Sequence, residues 1–380
     1  MIFDYENLRL IWWLLLGVLL IGFAVMDGFD LGVAALLPFV ARSDVERRIA
    51  INTIGPVWEG NQVWLVLGGG AIFAAWPPLY AVSFSGFYLA MFLVLASLIL
   101  RPVGFTFRSK IDNPAWRSLW DWALAIGGVV PALIFGVAIG NALQGVPFAF
   151  DPDLRASYDI SLASLLNPFG LLCGLASLAM LVMHGAAYLA LKAGEPVASR
   201  ARRAGSVAAI ATIGLFALAG LATAFLIRGY AITSTIDPAG PSNPLGKTVA
   251  RQTGSWLSNY GTHPWMTTAP ALGFAGALLA LLLFIAARPI ATWLASSVSV
   301  AGIVATAGVS MFPFLLPSSS SPSSSLTVWD ASSSRLTLGV MLAAAVVFIP
   351  IVLAYTAWVF RVMRGRVTAE EIAHDPHGVY

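Results

Sequence analysis

Met26-Asp27-Gly28-Phe29-Asp30-Leu31-Gly32, a short basic loop, and then Ile54-Gly55-Pro56-Val57-Trp58-Glu59-Gly60-Asn61-Gln62-Val63-Trp64 form the stretch around which this chain is organised. Asp27, Asp30 and Glu59 lie inside or against long apolar runs. An ionisable side chain in a membrane is costly, so each of the three is a candidate functional group. The surrounding sequence explains why a membrane is the right solvent to consider. Of the 380 residues 58% are hydrophobic and only 10% are charged, against about 25% charged in an ordinary soluble domain. The chain reads as all-α and polytopic, a single integral membrane domain over residues 1–380.

A spanning helix needs about 20 mostly apolar residues. Nine stretches qualify, near 8–38, 52–76, 79–100, 117–142, 162–192, 204–229, 265–287, 293–316 and 337–362. Eight of them can be counted off as two four-helix bundles, with the ninth helix peripheral. The first apolar segment follows Asp4 and Glu6 and has no basic leader, so it reads as a retained span. Most of the 21 Lys and Arg fall in the loops at 42–48, 101–117 and 192–203 and in the tail at 361–366. The positive-inside rule therefore puts the N-terminus outside and the C-terminus in the cytoplasm. Basic residues spread over loops between spans argue against a nucleic-acid partner. The lone Cys173 excludes an intrachain disulfide.

Two outer loops are long. Residues 230–264 contain Ser242-Asn243-Pro244, a turn or a helix start; beyond it Val249, Trp256 and Leu257 form the apolar face of an interfacial helix, or else the loop is irregular. The serine run 317–325, Pro-Ser-Ser-Ser-Ser-Pro-Ser-Ser-Ser, reads as low-complexity and flexible.

With span one running inward and span two outward, Asp27, Asp30 and Glu59 all fall in the cytoplasmic half. Asp121 and His184 join them there. Asp27 and Asp30 share a helix face, as do Glu59 and Gln62. Such carboxylates can carry protons along a cytoplasmic inlet, because an apolar site favours the protonated form. The structural alternative is that they cap helices, or pair with Arg101 or Arg108 to lock the bundle. Asp121, between Trp120 and Trp122, has the pattern of a membrane interface. Only His184 of the four histidines falls in a span, too few for a six-coordinate haem. Nothing in the chain has the spacing of a P-loop, a Cys-x-x-Cys pair or a dinucleotide fingerprint.

The residues also carry a resemblance. The N-terminal run from Tyr5 to Gly32, the segment 52–64 (NTIGPVWEGNQVW), and RPVGFTFRSK, NALQGVPF, LLNPFGLL, AGVSMFPFLLPSS and LTVWDASSSRLTL, in that order, resemble subunit II of the bacterial cytochrome bd quinol oxidases. The cyanide-insensitive oxidases are a close branch. The resemblance implies a subunit of the bacterial cytoplasmic membrane, paired with a haem-bearing subunit I that holds the b-type and d-type haems. That pair oxidises quinol and reduces dioxygen to water. Small accessory subunits, a structural quinone and membrane lipid are further partners it implies. It places Glu59 at an acidic position assigned to proton transfer and Trp64 at a position lining an oxygen channel; for Trp64 the alternative is core packing. The sequence departs from the family pattern at Val57, where histidine is frequent, and at Thr106, where aspartate occurs. The competing class is a proton-coupled secondary transporter, which usually places its carboxylates near the midplane of repeated halves. A membrane scaffold without chemistry is a third.

The charge bias makes a topological prediction. A reporter active only outside the cytoplasmic membrane, fused after Tyr380, should stay silent; strong reporter activity would mean that the number of crossings is even.

Overall fold

The computed structural model describes residues 4–374. The helices, in chain order, are α1 (Tyr5–Val40), α2 (Asp44–Ile54), α3 (Trp58–Ala75), α4 (Pro77–Gly86), α5 (Tyr88–Leu98), α6 (Leu100–Phe107), α7 (Pro114–Gln144), α8 (Leu162–Leu165), α9 (Pro168–Lys192), α10 (Val197–Phe225), α11 (Ser258–Thr262), α12 (Thr268–Ile285), α13 (Pro289–Met311), α14 (Arg335–Val362) and α15 (Ala369–His374). Three two-stranded antiparallel hairpins lie in the loops: β1 (Phe148–Phe150) with β2 (Ala156–Tyr158), β3 (Arg228–Ile232) with β4 (Val249–Thr253), and β5 (Phe314–Leu316) with β6 (Leu326–Thr327). The chain is an all-helical polytopic membrane protein. Among the described residues eight helical segments are long and apolar enough to span: α1, α5 with α6, α7, α9, α10, 264–285, α13 and α14.

The second predicted span, 52–76, is divided. Its first residues close α2, residues 55–57 form a turn at Gly55-Pro56, and α3 begins at Trp58. Proline has no N–H to continue a helix, and Gly55, itself still helical, closes α2 just before it. Glu59, Asn61 and Gln62 crowd the first turns of α3, so this 18-residue helix is shorter and more polar than the eight.

α1 is the central element. It packs against α3, α7, α9 and α13. The first four spans and the group α9, α10, α12 and α13 thus meet along α1, α7 and α9, while α14 lies at the edge against α1 and α3. Glycine sets the closest approach: a Cβ at Gly32 of α1 would run into the backbone of Leu181 and Gly185, and a Cβ at Gly185 of α9 into that of Gly32 and Val33. Between spans, where lipid is as apolar as leucine, such contact is a main source of helix association.

The outer ends of the spans are closed by a cap that departs from the sequence expectations. Residues 228–253 form a hairpin, and Trp256 is a buried anchor whose indole N–H donates to Leu143 O at 2.9 Å. No interfacial helix presents Val249, Trp256 and Leu257 together. Ser242-Asn243-Pro244 does make a turn, in which Asn243 Oδ1 accepts from Leu245 N. The serine run is enclosed rather than flexible: Ser318, Ser324 and Ser325 are fully buried. Ser318 N donates to Ser325 Oγ at 2.9 Å, Phe150 N to Ser324 Oγ at 3.2 Å, and Val146 N to Pro317 O at 2.9 Å. Composition suggested mobility; short hydroxyl side chains instead satisfy backbone groups that folding takes from water.

Lys247 anchors this cap from below. Its side chain is 1% exposed and its ammonium lies 2.7 Å from Asp330. It also donates to Pro244 O at 2.8 Å and to Ser325 O at 2.5 Å. Burial lowers the Lys247 pKa, with Asp330 opposing that shift. Removing one member of a buried ion pair strands the other, at a cost of about 3–5 kcal/mol. Lys247→Ala should therefore expose residues 317–325 to proteolysis and lower the thermal midpoint. Wild-type protease resistance in that variant would show that the hairpins alone hold the run.

Candidate functional site

Asp27 and Asp30 project from one face of α1 to a point where α6 and α3 converge, as their three-residue spacing requires. α6 supplies Arg101, whose two terminal nitrogens clasp Asp27 at 2.9 and 3.2 Å. One of them also lies 3.9 Å from Asp30. α3 supplies Asn61, which donates to Asp30 Oδ2 at 2.9 Å, and Trp58, whose ring faces the Arg101 guanidinium at 5.6 Å. Asp27, Asp30 and Arg101 are each 0% exposed. The fork of Arg101 matches a carboxylate's two oxygens, a geometry lysine cannot reproduce.

Two carboxylates facing one guanidinium leave the cluster one positive charge short. Asp30 Oδ1, Arg101 Nε and the Trp58 indole nitrogen are buried without a hydrogen-bond partner among the described residues. The structure thus realises the pairing with Arg101, while Arg108 belongs to a separate layer.

That layer lies towards the cytoplasmic end. Asp121 is not an exposed interface residue but a buried acceptor for Arg108 Nε at 2.6 Å and Arg47 at 2.8 Å. Arg108 also reaches Asp44 at 2.8 Å, and Arg117 joins the same carboxylate at 3.2 Å. Burial acts against the Arg108 cation, yet Asp121 and Asp44 outweigh it and its pKa is raised. Nearby, Glu46 caps α2 together with Ser43 and accepts from Arg200 at 2.6 Å; hydrogen bonding to Arg200 leads the causes that hold its pKa below the usual value.

Glu59 is placed differently from the sequence expectation. It sits in the first turn of α3, next to Trp58, but points outward and is exposed, and no hydrogen bond or ion pair engages it among the described residues. Asn61, not Gln62, is the α3 amide that reaches the carboxylates. The signal was available: Trp58 and Asn61 are three apart and so share the buried face of α3. Trp64 is 8% exposed and lies against Gly22 of α1, where a Cβ would strike the indole ring. Val57 is buried and Thr106 exposed.

The described histidine side chains are engaged within the chain. Both ring nitrogens of His184 are engaged, Nδ1 with Ser296 Oγ at 2.8 Å and Nε2 with Val25 O at 2.9 Å. His263 lies in an outer loop, bonded to Thr262 at 3.0 Å. His377 falls outside the described residues, and of His374 only the backbone is described. Among the described residues no three His, Cys, Asp or Glu side chains gather as a metal site.

The family model for cytochrome bd terminal oxidase subunit II matches residues 8–363. The chain is 54% identical over 377 residues to the probable cytochrome oxidase subunit 2 of Haemophilus influenzae, covering 99% of this chain and 100% of that one. It is 52% identical, with the same coverage, to the cytochrome bd-I ubiquinol oxidase subunit 2 of Escherichia coli K12. The cytochrome bd ubiquinol oxidase subunit 2 of Bacillus subtilis is 31% identical over 371 residues, covering 96% of this chain and 98% of that one. In fold, the chain matches the solved bd oxidase from Geobacillus thermodenitrificans with a TM-score of 0.69 at 16% identity, covering 94% of this chain and 98% of that one.

The buried cluster makes its own prediction. Arg101→Met leaves two carboxylates in an apolar site with one amide between them, and should cost about 3–5 kcal/mol. Yield of the assembled protein and its thermal midpoint should both fall, and Arg101→Lys should restore only part of the loss. A methionine variant as stable as wild type would show that the carboxylates do not need the guanidinium.

Proposed function

This chain belongs to the cytochrome bd terminal oxidase subunit II family, and from that membership we propose that it is the non-haem integral membrane subunit of a terminal quinol oxidase. The observation that carries this reading is full-length likeness, at 52% identity, to the Escherichia coli subunit. Its partner is the haem-bearing subunit I, and the pair oxidises quinol and reduces dioxygen to water in the bacterial cytoplasmic membrane. The b-type and d-type haems supply the redox chemistry from that partner, in keeping with the engaged nitrogens of His184. A structural quinone and small accessory subunits complete the proposed assembly. Against a transporter stands the burial of Asp27 and Asp30, which are 0% exposed and engaged by Arg101 and Asn61.

The open face of α3 supports a docking role. Val63, Val66 and Phe73 are 45%, 70% and 60% exposed, and with Glu59 and Gly70 they fall on one stripe of the helix. A carboxylate at the end of such a stripe is unfavourable against lipid and favourable against a partner that offers polar groups or water. Glu59 is therefore assigned to proton entry at the junction of the two subunits. Asp27 and Asp30, locked by Arg101, hold α1, α3 and α6 in register beneath it. Trp64, on the same helix, is assigned to the border of the oxygen path; Trp64→Leu tests that role through the apparent oxygen affinity at an unchanged haem spectrum.

Reduction of dioxygen to water consumes protons, and bulk water does not enter hydrocarbon. Glu59→Gln keeps volume and hydrogen bonding but removes the titrating group. Turnover should fall at least about tenfold, equivalent to about 1.4 kcal/mol of barrier, with haem content and assembly unchanged. Glu59→Asp should keep part of the rate. A fully assembled glutamine variant with wild-type turnover between about pH 6 and 8, where a carrier near neutrality operates, would move proton entry to another route.

A further inference from the structure

Away from the carboxylates and from the open face of α3, the cytoplasmic end of α10 carries a separate feature. Ser199, Arg202, Arg203 and Ser206 follow one another at the spacing of a single helix stripe. With Phe284 and Ile285 from the end of α12 they line a cleft of about 290 Å³. The floor is set by Gly205, against which the Phe284 ring lies; a Cβ there would strike that ring.

The polar groups of the cleft are unequally committed. Arg202 donates to Glu195 at 3.0 Å. Ser199 Oγ donates to Pro196 O at 2.9 Å and Ser206 Oγ to Arg202 O at 3.0 Å. Arg203 is exposed, and no ion pair or hydrogen bond engages it among the described residues. The cleft thus keeps a net positive charge, with the guanidinium of Arg203 as its available donor.

The stripe then changes character. Val207 and Ile210 on α10 are 68% and 60% exposed, and Leu278, Leu282 and Ile285 on α12 are 51%, 55% and 72% exposed. A cationic notch opening directly onto two apolar helix faces complements a molecule with an anionic head and a hydrocarbon body. A soluble anion would leave those faces unused. The end of the bundle on which the notch lies is the one that collects most of the basic residues, which places it at an anionic leaflet.

We propose that the cleft between α10 and α12 binds an anionic phospholipid, its phosphate against Arg203 and Arg202 and an acyl chain along Ile210 and Leu282. The site takes no part in haem or proton chemistry and lies on the lipid side of the second four-helix group.

The test uses the assembled two-subunit complex in detergent, titrated with phosphatidylglycerol or phosphatidylcholine of matched acyl chains and read by native mass spectrometry. Wild type should retain phosphatidylglycerol in preference to phosphatidylcholine. Arg203→Gln should weaken phosphatidylglycerol retention about fivefold, the weight of one basic residue near an anionic surface. Arg366→Gln, on the same side but outside the cleft, should leave it unchanged, and Leu282→Glu should weaken it through the acyl groove. Equal retention by wild type and Arg203→Gln overturns the proposal. So does an equal loss in Arg366→Gln, which would mean diffuse surface charge, or complete displacement by inorganic phosphate at matched concentration, which would mean that no lipid body is recognised.

Discussion

The clasp of Arg101 on Asp27, with Asp30 held beside it by Asn61, is the interaction on which the arrangement of the first four spans depends. Each of these groups is expensive to bury alone, and together they are tolerable only in one geometry. α1, α3 and α6 each contribute a member, so the three helices cannot slide or rotate independently without stranding a charge. Apolar packing gives the bundle its cohesion, but it is nearly indifferent to register among similar side chains. The ionic cluster removes that indifference. Glycine contacts at Gly32 and Gly185 then carry the fixed position of α1 across to α9 and the second group.

A division of labour follows from where the charges are sealed and where they are not. Asp27, Asp30 and Asp121 are buried and engaged within the chain, whereas Glu59 is presented outward on α3 with no hydrogen bond or ion pair among the described residues. Adjacent residues Trp58 and Glu59 thus serve different faces of one helix, one buried and one exposed. The inward face belongs to the bundle and the outward face to whatever covers it. Among the described residues His184, the histidine inside the bundle, has both ring nitrogens engaged within the chain.

Much of this was legible in the sequence, for identifiable reasons. Hydropathy over 20-residue windows finds the long helices because the bilayer imposes that length. Charges inside apolar runs flag Asp27 and Asp30 because a membrane sequence rarely tolerates them without purpose. What the sequence did not display was pairing across distance. Arg101 lies 74 positions from Asp27, and nothing local distinguishes it from Arg108, which serves Asp121 instead. Glu59 was expected inside because it follows a long apolar reading frame, yet α3 starts only at Trp58 and its rotation sends Glu59 out. The serine run defeated composition outright: its order comes from Lys247, Asp330 and the flanking hairpins, none of which a low-complexity stretch announces.

Arg9 adds a constraint on time. It stands in the second turn of α1, is fully buried, and gives its guanidinium hydrogens to Pro238 O, Gly240 O, Ser242 Oγ and Ser332 Oγ. Those acceptors are synthesised more than 200 residues later, as the sequence separations of 229 to 323 record. While the ribosome is still making the middle of the chain, the first helix therefore carries a cation with no protein acceptor from either loop. Its outer end can settle only after the segment before α14 has crossed. The outer end of α1 is in this sense completed by segments made long after it, so an early helix depends for its last contacts on late ones.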